Sequence, residues 1–372
     1  MKVVKFELWE CVRNENVFDA ARSGSAPMPW DVVVLRLTAD NGVSGVATAC
    51  AARSGRITMD YLKEICAPVV LGRDATEREA IWQEFRTIDR HIAFFPNFIT
   101  GPIDVALWDI AAKSANLPLF RYLGACRTSL PVYASSLWKN TPADYVVEAK
   151  QYATRGFKAY KAHPPGPWRL DIEIHRALRE ELGAAHVLMT DPVADYTLEA
   201  AIRVGRDLEK LDFHWFEEPF RDLEFSKYAE LCRVLDIPVA ATEALSGGIH
   251  SVAQVIALRA ADIVRADVSW KQGVTGTLKA ARLAEANGMQ CEIHCTTMGP
   301  MDIANLHVSC AICNCEYFEL LVPEDFFRFP MKDPYPIDTE GIIHVPEKPG
   351  LGVEIDWDAV ENTCRQHVKL EL

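Results

Sequence analysis

The sequence predicts an α/β barrel of eight strands that is preceded by a smaller α+β domain. From Leu130 onward, eight apolar strand patterns alternate with helical patterns, which is the element order of a (β/α)8 barrel. The second to the eighth of these strands each carry an ionisable residue at or near the end, at intervals of 24 to 28 residues. Such intervals correspond to one strand, one helix and two loops. The first 125 residues lack this repeat and are predicted to form a separate domain.

The first domain, residues 1–125, is predicted to be an α+β capping domain. Strand patterns cover residues 3–10, 31–38 and 43–48, and Asn41-Gly42 offers a tight turn before the third strand. Helical patterns follow at residues 57–66, 76–90 and 102–114. Strands followed by helices are typical of the α+β class.

The second domain, residues 126–330, is predicted to be the barrel. Its strand candidates are residues 131–135, 158–163, 186–191, 214–217, 238–243, 262–267, 290–294 and 317–321. Helical patterns lie between them, such as residues 141–154, 171–182, 198–211, 225–235 and 276–287. The tail, residues 331–372, begins with a segment rich in proline and glycine, and we expect it to return to the first domain.

Composition and charge disfavour several classes of protein. The 372 residues are 49% hydrophobic and 24% charged, as in ordinary globular domains. The net charge of −13 argues against nucleic acid or an anionic membrane as the main partner. No apolar run approaches the roughly 20 residues of a membrane helix, and the N-terminal segment lacks the apolar core of a signal peptide, so a cytoplasmic location is expected.

The eleven cysteines are an odd number scattered along the chain, which favours reduced thiols over a disulfide framework. Five of them lie within 25 residues: Cys291, Cys295, Cys310, Cys313 and Cys315. A zinc site there is an alternative. It is not favoured, because these cysteines fall on apolar segments where the thiol usually behaves as a small buried hydrophobe.

Three consecutive barrel strands end at carboxylates, which are Asp191, Glu217 and Glu243, each 26 residues from the next. The carboxyl ends of parallel barrel strands meet at one rim, where such barrels carry their chemistry. Three carboxylates crowded at one rim repel one another unless a cation neutralises them, and hard oxygen ligands suit Mg²⁺. The sequence therefore predicts a magnesium site at this rim.

Nine segments along the chain carry a family resemblance. They are TGPIDVALWDIAAKSANLPLFRYLG (100–124), FKAYKAH (157–163), LMTD (188–191), WFEEP (215–219), ATE (241–243), ADVSWKQGVTG (266–276), EIH (292–294), YFEL (317–320) and PGLGVEIDW (349–357). Together they resemble the enolase superfamily, and within it the mandelate racemase subgroup. The resemblance implies a (β/α)7β TIM-type barrel under a capping domain, and a Mg²⁺-dependent enzyme that removes the proton α to a carboxylate through an enediolate.

The resemblance also implies roles for individual residues. Asp191, Glu217 and Glu243 match the metal ligands of the family, with Glu218 as the alternative to Glu217. His294 and Asp267 match a catalytic dyad, in which the Asp fixes the imidazole tautomer and leaves the other ring nitrogen to act as base or acid.

Glu319 matches an acid on the last strand. It would donate a hydrogen bond to the substrate carboxylate if burial keeps it protonated, and would otherwise be a structural acid.

The chain departs from the subgroup pattern at three positions. The second strand reads Lys161-Ala162-His163 where the subgroup usually has two lysines, so racemisation is in doubt but not excluded. Val193 stands where many relatives have Asn. Ser269 follows Asp267 by two residues, so the lysine base of the muconate cycloisomerase subgroup is absent.

The resemblance implies an acid-sugar dehydratase, a hydro-lyase of carbohydrate catabolism, because dehydration is the commonest reaction among relatives with this ligand set. We expect His163 to be the base and His294 the acid, because the Lys161 ammonium disfavours an imidazolium at His163 while Asp267 favours one at His294. The reverse assignment is the alternative. A racemase, epimerase or cycloisomerase is the second hypothesis, and a non-catalytic homologue is the third.

The substrate is expected to be a small acid sugar held by loops of the first domain. Two segments rich in Ser, Ala, Gly, Pro and Arg, residues 22–30 and 50–55, are either plain surface loops or loops that lie over a neighbouring active site. Arg22, Trp30, Arg53 and His91 are the predicted substrate-binding residues. Relatives of this type are commonly homo-oligomers, so a homo-oligomer is expected, without nucleic-acid or membrane partners.

Overall fold

The N-terminal part of the chain folds as an antiparallel sheet packed against helices. The computed structural model describes residues 1–13, 30–50, 54–295 and 298–372. The strands are β1 (Val3–Cys11), β2 (Val32–Ala39), β3 (Ser44–Cys50), β4 (Ser129–Ser135), β5 (Ala159–Ala162), β6 (Val187–Thr190), β7 (Trp215–Glu217), β8 (Val239–Ala241), β9 (Ile263–Ala266), β10 (Gln290–Ile293), β11 (Phe318–Leu321), β12 (Ile342–His344) and β13 (Cys364–Glu371). In the N-terminal sheet their order is β13-β1-β2-β3, so the end of the chain pairs with its beginning.

Most of the helices lie where the sequence pattern predicted them. They are α1 (Gly55–Asp60), α2 (Ala67–Val70), α3 (Arg78–Ile88), α4 (Gly101–Ser114), α5 (Leu119–Leu123), α6 (Pro142–Thr154), α7 (Trp168–Leu182), α8 (Leu198–Lys210), α9 (Phe225–Val234), α10 (Gly248–Ala257), α11 (Gly273–Ala286), α12 (Pro300–Ala311), α13 (Glu324–Phe327) and α14 (Trp357–Thr363), with π-helical turns at Tyr61–Cys66 and Asp89–Ala93. Thr141 and Thr197 begin α6 and α8, where each side chain accepts a backbone N–H three residues later.

The predicted turn between β2 and β3 is present. The Asn41 side chain accepts the N–H of Val43 at 3.1 Å, and Gly42 has φ +81°, a left-handed conformation that favours glycine. The turn sets the β2–β3 register, in which Thr38 lies opposite Ser44.

The predicted barrel is confirmed. Within the described residues, eight parallel strands run in the order β10-β9-β8-β7-β6-β5-β4-β11, so the last strand lies beside the first. The helices α6 to α12 each connect one strand to the next, which gives the (β/α)7β arrangement. The fold is therefore a TIM-type barrel with an N-terminal α+β cap. No helix in the described parts of the chain is long and apolar enough to cross a lipid bilayer.

The strands are shorter than the sequence pattern suggested, and this places the charged residues just beyond them. Four of these residues are the first residue of the loop that follows a strand: His163 after β5, Asp191 after β6, Asp267 after β9 and His294 after β10. Glu319 differs, because it is the second residue of β11 and pairs with Tyr133 inside the barrel. It is therefore not a strand-end residue.

The cap sits on the loops that follow β8 and β9. The Asp104 carboxylate of α4 accepts the N–H of Thr275 at 2.9 Å and its hydroxyl at 2.7 Å. The Asn97 amide donates to the carbonyl of Ala244 at 2.7 Å. A Cβ at Gly101 would lie 2.4 Å from the Val268 carbonyl oxygen, so only glycine permits this approach. The cap thus contacts the loops that carry Glu243 and Asp267.

Candidate active site

Three carboxylates converge where the sequence predicted them. Asp191, Glu217 and Glu243 lie at the ends of the neighbouring strands β6, β7 and β8. One oxygen of each lies within 4.8 Å of the others. Asp191 and Glu217 are buried, and the Glu243 side chain is 18% exposed. Adjacent parallel strands bring residues 26 apart together in this way.

The charge balance of the described side chains fits a divalent cation at this point. Carboxylates outnumber basic side chains here: Asp191, Glu217, Glu218, Glu243, Asp267 and Glu319 lie near Lys161, Arg265 and Lys271. Burial and the neighbouring charges of Asp191 and Glu217 outweigh the opposing His294 and raise the pKa of Glu243 to about 7. Carboxylate oxygens are hard ligands, so the group fits a hard divalent cation.

Glu217, and not Glu218, belongs to this group. Oε2 of Glu217 accepts from Lys161 at 3.0 Å and from the Trp215 indole at 2.9 Å, whereas Oε1 accepts from a single donor among the described residues, Arg265, at 2.6 Å. Oε1 therefore keeps a lone pair for a metal. The Glu218 side chain accepts the backbone N–H of Glu243 at 2.9 Å. Burial and the charge of Glu243 raise the Glu218 pKa well above its usual range.

The zinc alternative finds no support in the described residues, where the only group of three or more metal-ligand side chains is the carboxylate set. Cys291, Cys295, Cys310 and Cys315 are buried, and burial raises the pKa of each thiol. These cysteines are packing residues.

His163 lies at one end of the carboxylate group. Its Nδ1 is 2.6 Å from the carbonyl oxygen of Ser136, and its Nε2 is 3.2 Å from Oδ2 of Asp191. A carbonyl oxygen can only accept, so Nδ1 carries a proton. In the neutral ring, Nε2 is then the basic nitrogen, and it faces the rim.

His294 lies at the other end. Its Nδ1 is 2.9 Å from Oδ2 of Asp267, and its Nε2 is 3.1 Å from Oε1 of Glu243. The predicted dyad geometry is therefore present. Burial opposes protonation of His294, but the surrounding carboxylates, with Glu243 foremost, outweigh it and raise its pKa to about 9.

The amide of Asn305, on α12, braces this dyad. Its Nδ2 donates to Oδ1 of Asp267 at 3.2 Å and to the backbone carbonyl of His294 at 2.9 Å. Its Oδ1 accepts the N–H of Val268 at 2.9 Å. One buried side chain thus ties the ends of β9 and β10 together, which makes Asn305 a positioning residue.

Asn305→Ala is expected to lower kcat by about 10- to 100-fold, as loss of a partner that orients a catalytic group typically does, with a smaller change in KM. The limb of the pH profile of kcat that His294 sets should also move to lower pH, because Asn305 no longer fixes the Asp267 carboxylate that helps to raise the pKa of His294. Steady-state kinetics across pH checks this. Asn314→Ala is the matched control, since that amide also donates two hydrogen bonds, but to the backbone carbonyls of Ala281 and Met289 and to no residue of the site. An unchanged pH profile in Asn305→Ala would reduce Asn305 to a packing role.

Below the rim, two buried cations hold Glu319. Its Oε1 accepts from Lys161 at 2.8 Å and from the Ser135 hydroxyl at 2.8 Å. Its Oε2 accepts from Arg265 at 2.6 Å and from the Cys295 N–H at 3.3 Å. Burial opposes ionisation, but Lys161 and Arg265 lower the pKa of Glu319 well below its usual range. Glu319 is an acceptor at every one of these contacts, which favours the alternative of a structural acid.

Arg265 and Asn305 were missed by the sequence reasoning. Arg265 lies on β9, two residues before Asp267. A permanent charge on a buried strand, on the same face as Asp267, was the sequence feature that could have identified it. Asn305 offered no such signal, because a helix residue carries no mark of the strand ends it contacts. Lys271 is also fully buried and donates to the Leu245 carbonyl at 3.0 Å, which links the loops after β8 and β9.

The predicted substrate-binding residues are not brought together by the described contacts. The Trp30 ring is buried in an apolar cluster with Leu137, Met298 and Phe327 and meets Phe327 edge-on at 6.2 Å. His91 is exposed on the π-helical turn after α3. Arg22 and Arg53 lie outside the described residues. The substrate roles of these four residues stay predictions.

Known proteins resemble the chain over almost all of its length. The family model described as "Enolase C-terminal domain-like" matches residues 144–359, and the model described as "Mandelate racemase / muconate lactonizing enzyme, N-terminal domain" matches residues 25–124. An arabinonate dehydratase of Saccharolobus solfataricus is 28% identical over 342 residues, which cover 90% of this chain and 91% of that protein.

Two further relatives differ in reaction. A 3,6-anhydro-alpha-L-galactonate cycloisomerase of Streptomyces coelicolor is 29% identical over 340 residues, which cover 90% of this chain and 91% of that protein. The crystal structure of D-glucarate dehydratase from Agrobacterium tumefaciens, complexed with magnesium, is 29% identical and superposes with a TM-score of 0.86 over 98% of this chain and 99% of that chain.

Proposed function

Because the chain belongs to the enolase superfamily, and within it to the mandelate racemase subgroup, we propose that this enzyme dehydrates an acid sugar. It removes the proton α to the substrate carboxylate and expels the β-hydroxyl as water, which yields a 2-keto-3-deoxy acid. Curated relatives include dehydratases.

The observation that carries this proposal is the placement of two imidazoles at opposite ends of the carboxylate group. Nε2 of His163 lies 3.2 Å from Asp191, and Nε2 of His294 lies 3.1 Å from Glu243. Asp191 and Glu243 belong to one group whose ligand oxygens lie within 4.8 Å of each other. A substrate held by this group would have one imidazole on each side. Elimination needs a base and an acid, and this arrangement supplies both.

Asp191, Glu217 and Glu243 would hold Mg²⁺. When bound, Mg²⁺ supplies a positive charge that makes the proton α to a carboxylate more acidic and stabilises the charge that develops on the carboxylate oxygens. Lys161 and Arg265 hold Glu217 in place, since they contact both of its oxygens. Lys161 is fully buried, and the carboxylates of Glu217 and Glu319 outweigh burial and raise its pKa, so it acts as a fixed cation.

The groups that hold Nδ1 of His163 and Nδ1 of His294 indicate which histidine is the base and which is the acid. His163 is oriented by a neutral carbonyl, whereas His294 is oriented by the carboxylate of Asp267, and a carboxylate stabilises an imidazolium more than a carbonyl does. We therefore assign the base to Nε2 of His163. The α C–H bond breaks, its proton passes to His163, and the electron pair left behind forms an enediolate of the substrate carboxylate. The enediolate then returns to a carboxylate as a carbon–carbon double bond forms and the β C–O bond breaks. His294 gives its proton to the departing hydroxyl, and the resulting enol tautomerises to the keto acid.

A racemase, epimerase or cycloisomerase is the second candidate, which the cycloisomerase relative favours. The same two imidazoles could remove a proton on one side and return it on the other. Water loss distinguishes the two reactions, because only a dehydratase forms a keto acid.

A screen of mono- and diacid sugars in D₂O tests the proposal. We expect 2-keto acid to form from at least one substrate, with deuterium at C3 of the product, and no activity after chelation until Mg²⁺ is returned. Deuterium at the α carbon of recovered substrate, without keto acid from any member of the library, would establish the second candidate instead.

A further inference from the structure

Two exposed cysteines meet at the end of the barrel opposite the candidate active site. Cys126 lies between α5 and β4, and Cys313 lies between α12 and β11. Their sulfur atoms are 2.7 Å apart, which leaves no room for another atom between them. Both residues precede barrel strands, so they lie at the N-terminal ends of β4 and β11, whereas the histidines lie at C-terminal strand ends.

Hydrogen bonds from the backbone and from Arg127 hold the two thiols together. The N–H groups of Cys126 and Arg127 both donate to the carbonyl of Cys310, at 2.8 and 3.1 Å. The Arg127 guanidinium donates to the carbonyl of Cys313 at 3.1 Å and also to that of Cys315. Thus the segment before β4 is tied to the segment that carries Cys313, and the sulfur contact does not depend on the side chains alone.

The pair also differs chemically from the buried thiols. Nη2 of Arg127 is 3.8 Å from the Cys126 sulfur. The hydrogen bond from Cys313, together with Arg127, lowers the pKa of the Cys126 thiol. Burial raises the pKa of Cys66 and Cys291. Since the thiolate is the reactive form and Cys126 is exposed, Cys126 reacts with an oxidant in solution before these buried thiols do.

We propose that Cys126 and Cys313 are a site of reversible disulfide formation, with a low-molecular-weight disulfide as the oxidant. The Cys126 thiolate attacks one sulfur of that disulfide and releases its other half as a thiol. Cys313 then loses its proton and attacks the Cys126 sulfur, and the second half leaves as a thiol. One disulfide is reduced to two thiols as the two protein thiols are oxidised to one disulfide.

The disulfide would link the loop between α5 and β4, which connects the cap to the barrel, to the loop between α12 and β11. The two cysteines are 187 residues apart in the chain, and a cross-link over a long loop removes much conformational freedom from the unfolded chain. We expect oxidation to raise the melting temperature by on the order of 5 °C. Turnover should change little, because the bond forms away from the rim.

The test is treatment of the full-length protein with oxidised glutathione, followed by thiol counting in denaturant and peptide mapping. The eleven thiols should fall by two, with a linked peptide pair containing Cys126 and Cys313, and dithiothreitol should reverse both the link and the rise in melting temperature. Cys126→Ser and Cys313→Ser should each prevent the link. Cys232→Ser, which changes a partly buried cysteine on α9, should form it as the wild type does.

Three results would overturn the inference: a stable glutathione adduct on Cys126 without the link, a link that maps to another pair, or no loss of thiols. Dehydratase activity is not needed for any of these readouts, so the inference and the proposed function stand or fall separately.

Discussion

Asp191→Asn is expected to weaken Mg²⁺ binding by about a thousandfold. The attraction between one unit charge and a divalent cation about 4 Å away is roughly 8 kcal/mol at an effective dielectric constant of about 20. The neutral Asn oxygen that remains keeps part of this attraction, and a thousandfold loss corresponds to about 4 kcal/mol at ~1.4 kcal/mol per factor of ten. Glu243→Gln should behave similarly, because both carboxylates belong to the same group. The activity of each variant should fall in proportion to the fraction of protein that has Mg²⁺ bound. Isothermal titration calorimetry of the metal-free protein with Mg²⁺ measures the affinity directly.

Glu218→Gln is the matched control for this experiment. Glu218 is a buried carboxylate next to Glu217, but its side chain accepts the backbone N–H of Glu243. The variant should therefore keep most of the Mg²⁺ affinity. A loss in Glu218→Gln that equals the loss in Asp191→Asn would make Glu218 the ligand, and unchanged affinity in both Asp191→Asn and Glu243→Gln would place the metal elsewhere.

His163→Ala and His294→Asn are expected to fail at different steps. Proton transfer by a positioned side chain contributes about 10²- to 10⁴-fold to rate, so both variants should lose keto-acid formation by amounts in this range. His163→Ala should also lose exchange of the substrate α-proton with D₂O, since it lacks the base. His294→Asn should retain that exchange and lose only the expulsion of the hydroxyl, since it lacks the acid.

Following α-proton exchange by NMR alongside keto-acid formation separates the two steps. His344→Ala is the control, because His344 lies on β12 and pairs with Asp338 at the surface, and neither step should change. Wild-type exchange in His163→Ala together with no exchange in His294→Asn would reverse the assignment and make His294 the base.

The periodic features of this protein could be predicted from its sequence. A barrel strand and its following helix take about 26 residues, so the spacing of Asp191, Glu217 and Glu243 placed them on adjacent strands at one rim. The contact between His294 and Asp267, which the family resemblance implied, is present at 2.9 Å. Such contacts depend only on the repeat, because every unit of a parallel barrel presents the same position to the same rim.

The pairing of the buried charges below the rim does not follow from the βα repeat and is set by the tertiary structure. From the sequence, the Lys161 charge was expected to disfavour an imidazolium at His163, but in the folded chain the Lys161 ammonium contacts the carboxylates of Glu217 and Glu319. Arg265 completes that buried network, and only its closure shows that Glu319 is held as an anion.

Two further contacts join residues that no local pattern relates. Asn305 reaches the dyad from a helix, and Cys126 meets Cys313 across 187 residues. Periodicity fixes which face of a strand or helix a residue occupies. The partner that the side chain meets on that face depends on how helices pack against the barrel and on which charges burial forces to pair, and both are settled only when the chain has folded.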